Sequence, residues 1–381
     1  MNDPIQYRRA DDIRPYKRLK EVNIMIKIIH GADFHLDSPF SGLTPERASQ
    51  RREEQRELLD RLAALAREKE ANLVLLAGDL LDSEHVYRET AQALRDALSS
   101  IPCPVFIAPG NHDFYSRRSV WATLDWPDNV HIFSSAALER MELPGCTLWG
   151  RAFTDAHQTV SPLEGLTVPD DGRVHIACLH GCVGTEDNYG PIALQDIAAS
   201  GLDYLALGHV HQGTGLQKEG NTFWAYPGCP EGRGFDELGE KGVLYVEAEP
   251  GKVTAQFVPL ARRRYEILPV DITLGVDVLS AIRTALPENR ESLICRIILT
   301  GEGEKPDLAA LERVLAPEFY GLTLLDRTRL PQNLWARREE DALTGLFLQA
   351  MWEKCREEPD NPLWQLAARY GLAALEGGDE G

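Results

Sequence analysis

The chain has 381 residues, of which 43% are hydrophobic and 26% charged, and a formal net charge of −19 at neutral pH. That composition suits a globular protein long enough for two or three domains, and no apolar run reaches the roughly 18 residues needed to cross a membrane. So acidic a chain repels nucleic acid on average, and any function on nucleic acid has to rest on a local site.

Residues 1–24 are polar and aperiodic and lack the apolar centre of a secretory signal. They read as a loosely held extension, with Met25 an alternative start. Met25 opens MIKIIHGADFHLDSPF, a strand that runs into polar residues. Helical periodicity follows in PERASQRREEQRELLDRLAALAREKE, with Pro45 in the first turn. NLVLLAGDLLD is a continuous apolar run ending in Gly-Asp, the pattern of a strand buried on both faces. HVYRETAQALRDALSS predicts a second amphipathic helix, and PVFIAPGNHDF a third buried strand. RVHIACLHG and LDYLALGHVHQG predict two more strands, with the helix IALQDIAAS between them. Alternating strands and helices place residues 25–261 in an α/β layered domain.

From about Arg262 a second α/β unit begins, spanning 262–330. ARRRYEILPVDIT, SLICRIILTG and FYGLTLLDR read as strands, with GVDVLSAIRTAL and DLAALERVLA as helices. Residues 331–381 read as helices followed by an acidic tail. One stripe there carries Leu343, Leu346, Phe347, Ala350 and Met351, and a second carries Leu363, Leu366, Ala367 and Tyr370. The seven cysteines are scattered without a CxxC pair, which fits free thiols in a reducing cytoplasm. Cys178 and Cys182 bracket His180, but no second cysteine pair lies near enough to complete a zinc site. The basic clusters at Arg47, Arg51, Arg52 and Arg56, at Arg117 and Arg118, and at Arg262 to Arg264 each read as a solvated helix face or turn.

Five of the buried strands end in a restricted set of residues. They are Asp33-Phe34-His35, Gly78-Asp79, Gly110-Asn111-His112-Asp113, His180-Gly181 and Gly208-His209-Val210-His211. Binding sites in α/β folds form at such C-terminal strand ends, and Asp, Asn and His are ligands of divalent metals. Strand alternation puts His209 and His211 on one face. His30, His85, His131, His157 and His175 join no such pattern and read as structural or surface residues.

The order D-x-H, G-D, G-N-H-D, H-G, G-H-x-H resembles that of the calcineurin-like metallophosphoesterases, over roughly residues 26–260. The resemblance implies an αββα sandwich and two divalent metal ions. Asp33, His35, Asp79 and His211 would hold one ion. Asp79, Asn111, His180 and His209 would hold the other, with Asp79 bridging. It gives His112 the role of facing the scissile phosphate, as acid or charge stabiliser. Asp113 would orient His112, as a carboxylate fixes an imidazole tautomer.

Protein phosphatases of this class carry an Arg soon after the second motif, where this chain has Ser83 and Glu84. GADFHLDSPFSGL, LHG and FWAYPGCPEGRGFDELGEKGVLYVE look instead like the SbcD-type DNA repair exonucleases, in their YhaO-like branch. That likeness implies Mn2+, DNA as substrate, a small capping domain and an SbcC-type coiled-coil ABC ATPase gripped by the C-terminal helices. A homodimer is compatible with it. Phe114, Tyr115, Arg117 and Arg118 follow the third motif and are candidates for DNA contact. A stand-alone phosphodiesterase acting on nucleotides or another small phosphodiester is the competing expectation, favoured by the acidic balance.

Overall fold

The structure is a computed structural model that describes residues 6–8, 25–184, 188–273, 277–329, 334–359 and 361–376. The expected extension over residues 1–24 therefore lies, apart from 6–8, outside the described residues. The chain divides into two compact units, residues 1–264 and 265–381.

The first unit is built on two sheets. One has six strands, in the order Lys252–Pro259, Gly242–Glu249, Ile26–Gly31, Leu73–Leu76, Val105–Ile107, Val130–Ile132. The last four run parallel, and the helices Pro45–Glu68 and Arg88–Ser99 lie between successive members of that set in the chain. The other has seven strands, in the order Gln6–Arg8, Glu139–Leu143, Cys146–Gly150, Val174–His180, Tyr204–Gly208, Thr222–Ala225, Gln217–Glu219.

Side-chain alternation explains why these strands read as unbroken apolar runs. Ile28, Leu73, Leu75 and Phe106 point into a core shared with Cys146, Leu148, Ile176, Cys178 and Ala206 of the other sheet. Their neighbours Ile29, Val74, Leu76, Val105 and Ile107 point the opposite way, onto Leu58, Leu62, Leu94 and Leu98 of the two helices. On the far side, Ala177, Leu179, Leu205 and Leu207 pack against Ile197 of the Leu194–Ser200 helix. The result is helix, sheet, sheet, helix: the αββα sandwich. Both faces of each central strand are buried, so both need apolar residues.

His30 is the polar exception inside the sandwich. Its Nε2 lies 3.1 Å from the Leu207 carbonyl and must donate there, so its Nδ1 accepts from the Tyr204 hydroxyl at 2.8 Å. Burial pulls its pKa down to about 3, which keeps the ring neutral. All seven cysteines are free. Cys178 is consumed by the central core, and neither it nor Cys182 joins a metal-capable cluster among the described residues.

The second unit holds a three-stranded sheet in the order Arg264–Asp271, Leu293–Thr300, Gly321–Asp326. Leu293, Cys295, Ile297 and Leu299 form its buried face, covered by Ile282 and Leu315 of the helices Val278–Ala285 and Leu308–Leu315. Two further helices, Leu343–Glu357 and Pro362–Glu376, pack on each other. A Cβ on Gly371 would collide with the Phe347 ring, so that crossing depends on glycine. The apolar stripes are only partly covered there: Leu343, Leu346, Leu363 and Tyr370 are 69%, 72%, 65% and 67% exposed. Among the described residues no helix is long and apolar enough to cross a membrane.

Candidate active site

The polar strand ends come together chiefly as two groups, and His35 forms a third with Asp82 and His112. Asp33, His35 and His211 form one, and Asp79, His180 and His209 the other, with the donor atoms of each group within 4.8 Å of one another. Asn111 joins the second group, its Oδ1 3.0 Å from His180 Nε2. Asp79 Oδ2 lies 3.4 Å from His180 Nε2 and 3.9 Å from His35 Nε2, so a single carboxylate faces both groups.

Backbone strain aims these side chains. Asp33, His35, Asp79 and His209 have φ of 54°, 43°, 51° and 112°, a region that costs a non-glycine residue about 1–3 kcal/mol. Hydrogen bonds between the loops hold them there. Asp33 N–H donates to the Gly78 carbonyl and His35 N–H to the Asp79 carbonyl, both at 3.0 Å. His209 N–H donates to the Asp33 carboxylate at 3.0 and 3.1 Å. Gly208 allows the close approach: a Cβ there would collide with the Ala77 carbonyl oxygen. The strand itself ends at Gly208. Strand alternation therefore does not aim His209 and His211; the turn sends them to different groups.

The outer nitrogens of the imidazoles set the tautomers. His180 Nδ1 is 2.9 Å from the Ala77 carbonyl and must donate to it. His211 Nδ1 lies 2.7 Å from Glu237 Oε1 and 3.0 Å from Arg233 Nη2, and a proton on Nδ1 serves the carboxylate. His35 Nδ1 lies 3.2 Å from Asp82 Oδ1, near the carboxylate but off the line of a hydrogen bond. Each neutral ring thus turns a bare Nε2 inward, the arrangement of metal-binding histidines backed by carboxylates or carbonyls. His35 Nε2 and His211 Nε2 stand 3.1 Å apart. Two lone pairs at that distance repel unless a cation lies beside both, and adjacent ligand atoms around an ion with bonds of about 2.1 Å have such a spacing. The residues therefore fit divalent ions.

Charge balance points the same way. Burial pushes the Asp33 carboxyl up to about 6, with the charge of Asp79 adding to the effect. Burial also acts upward on Asp79, but His180, His35 and His112 hold it well below the usual carboxylate range. Burial opposes a charge on His180, yet Asp79 and Asp33 push its pKa up to about 9. His35 is held down to about 4, mainly by burial. Buried carboxylates leaning on imidazoles for positive charge are groups that a dication satisfies better.

His112 is exposed beside the groups, with its ring centroid 4.8 Å from that of His35. Its N–H donates to Asp79 Oδ1 at 2.9 Å, and its Nδ1 lies 3.1 Å from the Asp82 carbonyl. Asp113 does not orient it, contrary to the sequence expectation. The Asp113 carboxylate is buried and accepts from the N–H groups of Leu80, Leu81 and Gly110 at 2.8, 3.2 and 2.8 Å. It pins two ligand-bearing turns together, and the Asp82 backbone takes the orienting role.

The sequence reading missed Asp82, Arg233 and Glu237. The signal was present in the EGRGFDE stretch, whose Arg and Glu are four residues apart. Arg51, read as part of a solvated face, is fully buried, pairing with Glu54 and Glu231 and donating to the Gly232 carbonyl at 2.9 Å. Arg263 is also largely buried and pairs with Glu54 at 2.6 Å.

Of the four loop residues, Tyr115 packs against the core, while Arg117 and Arg118 are exposed. Phe114 lines a cavity of about 490 Å³ together with Asp82, Asn111, His112, His157 and Tyr189. His157 thus borders this cavity, with its ring 5.4 Å from that of Tyr189.

Residues 26–213 match the calcineurin-like phosphoesterase family. The chain carries a calcineurin-like metallophosphoesterase domain. It is similar to the uncharacterized metallophosphoesterase YhaO of Bacillus subtilis (strain 168), 32% identical over 266 residues that cover 65% of this chain and 64% of that protein. It is also similar to the SbcD component of nuclease SbcCD from Staphylococcus epidermidis, 23% identical with 65% and 73% of the two chains covered. For the SbcD component of Bacillus subtilis the identity is 24%, and the coverages are 60% and 67%. The alignment thus spans slightly under two thirds of YhaO itself. Metallophosphoesterases use divalent metals, and this domain brings candidate ligand groups together where the family match lies.

Proposed function

We propose that the protein is a two-metal phosphodiesterase that cleaves DNA, as the nuclease component of a DNA repair complex with an SbcC-type coiled-coil ABC ATPase. In this reading residues 25–261 form the cytoplasmic nuclease domain, 262–330 a capping domain and 331–381 the partner-binding segment. The observation that carries the chemistry is Asp79, one carboxylate within 3.9 Å of an imidazole nitrogen from each of two ligand groups.

Asp33, His35, Asp79 and His211 would hold one ion, and Asp79, Asn111, His180 and His209 the other. Imidazole and carboxylate ligands suit Mn2+. When bound, a pair of divalent ions acidifies a water and neutralises charge on a phosphate oxygen. The chain's own groups do the rest. Against two bound divalent ions, Asp33 and Asp79, ionised among neutral imidazoles, would offset only half the charge, and the remaining excess of about two positive charges would draw in a phosphodiester despite the acidic surface. His112 keeps Nδ1–H on the Asp82 carbonyl, and in its doubly protonated form it would give the Nε2 proton to the departing oxygen, returning to the neutral ring. Asp113 holds the turn from which His112 projects.

The DNA assignment is supported by the likeness to the two SbcD proteins, by exposed Arg117 and Arg118, and by the aromatic wall of Phe114 and Tyr189 beside His112. Exposed Leu343, Leu346, Leu363 and Tyr370 support a coiled-coil partner, since amphipathic helices commonly dock this way. A second reading, a nucleotide phosphodiesterase, draws on the net charge of −19 and on a cavity of about 490 Å³, large enough for one nucleotide.

The test is to incubate protein and Mn2+ with end-labelled duplex, single-stranded DNA and bis-p-nitrophenyl phosphate, with and without the ATPase. Metal-dependent cleavage of DNA supports the assignment. Hydrolysis of the small diester with every DNA form left intact, partner included, overturns it in favour of the second reading.

A further inference from the structure

The two carboxylates behind the first ligand group share one guanidinium. Asp82 Oδ1 stands 3.2 Å from His35 Nδ1, and Glu237 Oε1 stands 2.7 Å from His211 Nδ1. Arg233 reaches both carboxylates: Nη1 donates to Asp82 Oδ1 at 3.3 Å, and Nη2 to Glu237 Oε1 at 2.8 Å, while Nη2 also stands 3.0 Å from His211 Nδ1. Its Nε and backbone N–H also donate to Glu237 Oε2, at 3.4 and 2.7 Å, so the grip on Glu237 has three points. All of these side chains are mostly shielded from solvent, where such bonds keep their strength.

The loop carrying Arg233 is itself tethered. Fully buried Arg51 of the Pro45–Glu68 helix pairs with Glu231 and donates to the Gly232 carbonyl at 2.9 Å. Glu231 Oε2 also accepts from the Arg262 N–H at 3.2 Å. Arg233 is therefore held at both its backbone and its head group.

We infer that Arg233 is a positioning residue for one ion only. It clamps Asp82 and Glu237, and through them and its own contact with His211 it fixes the direction of His35 and His211, so that the Asp33, His35, His211 group is built before metal arrives. This rests on the reading that the two groups hold two ions. In the second group the outer nitrogen of His180 is fixed instead by the Ala77 carbonyl. Arginine is suited to the task because its planar fork reaches two carboxylates at once, which a lysine ammonium does not do with the same geometry.

The experiment is Mn2+ binding by calorimetry to the full chain in two single-group backgrounds. His209→Ala leaves the first group to be read, and Asp33→Asn leaves the second. In the His209→Ala background, adding Arg233→Ala should weaken Mn2+ binding about 10–100-fold, the usual effect of losing a residue that backs a metal ligand. Arg233→Lys should recover part of that loss. In the Asp33→Asn background neither substitution should change the affinity. Should Arg233→Ala fail to fold, Arg233→Lys carries the same comparison with a smaller loss. Equal weakening in both backgrounds, or no weakening in either, overturns the inference and leaves the two-ion reading standing. Absence of Mn2+ binding by the unsubstituted protein overturns that reading itself.

Discussion

His35 Nε2 faces His211 Nε2 across 3.1 Å, and each ring has its other nitrogen beside a carboxylate, Asp82 or Glu237. The pair is set to share a cation, and Asp79 extends the arrangement to the second group through His180 at 3.4 Å. Asp79→Asn removes the charge common to both groups. Bound Mn2+, measured by elemental analysis after desalting, should fall, and diester hydrolysis should vanish. Near-normal turnover in this variant would contradict the assignment of Asp79.

His112→Ala makes the opposite separation. The imidazole belongs to neither of the two main groups, and its loss leaves their anchors in place. Mn2+ content should stay at the wild-type level, while hydrolysis slows about 10²–10⁴-fold, the worth of acid–base assistance. An emptied metal site would make His112 a ligand instead.

Metal binding should release a proton at neutral pH. Without metal, His180 holds its proton up to about pH 9, because Asp79 and Asp33 outweigh the burial that opposes it. A metal ligand must be neutral, so binding below that pH displaces the proton. Affinity should rise with pH through the neutral range, by up to about tenfold per unit. Calorimetry in buffers of different ionisation enthalpy counts the protons, and a count of zero would refute this.

His30 should make the fold acid-sensitive. Its folded pKa is about 3, against an ordinary value of 6.5. Between those values the unfolded chain takes up a proton that the folded protein refuses. Stability is therefore lost as pH falls below 6.5, by about 1.4 kcal/mol at one unit below. In urea melts with EDTA present, His30→Gln should be less stable at pH 7.5 but lose less on moving to pH 5.5. Parallel losses in both proteins would show that His30 does not contribute.

Arg117 and Arg118 are exposed, three and four residues along the chain from Phe114 of the cavity wall. If they meet phosphates, replacing both with Ala should weaken DNA binding and reduce the magnitude of its log–log salt slope by up to about two. Binding isotherms between low and moderate salt give the slope. An unchanged slope would assign them to solvent.

Much of this site is legible in the sequence. Asp33, His35, Asp79, Asn111, His209 and His211 follow buried, largely apolar strands, and His180 is the last residue of one, so a polar, ligand-type residue at such an end stands out. Other features are not legible. Arg51 looks solvated within the charged run RREEQRE, and its burial depends on Glu231, far along the chain. Asp113 looks like a partner for adjacent His112, yet three backbone N–H groups from two turns claim it.

By itself the sequence determined the strand and helix order, the residues at the strand ends and hence the family. These are local matters of hydrophobic periodicity and turn chemistry, written in adjacent residues. Only the tertiary structure decided how those residues are divided and backed. His209 and His211 part company because the strand stops at Gly208 and His209 takes a positive φ. Asp82, Arg233 and Glu237 matter because folding brings them behind two imidazoles. Hydrogen-bond partners are fixed by distance in space, and spacing along the chain does not encode it.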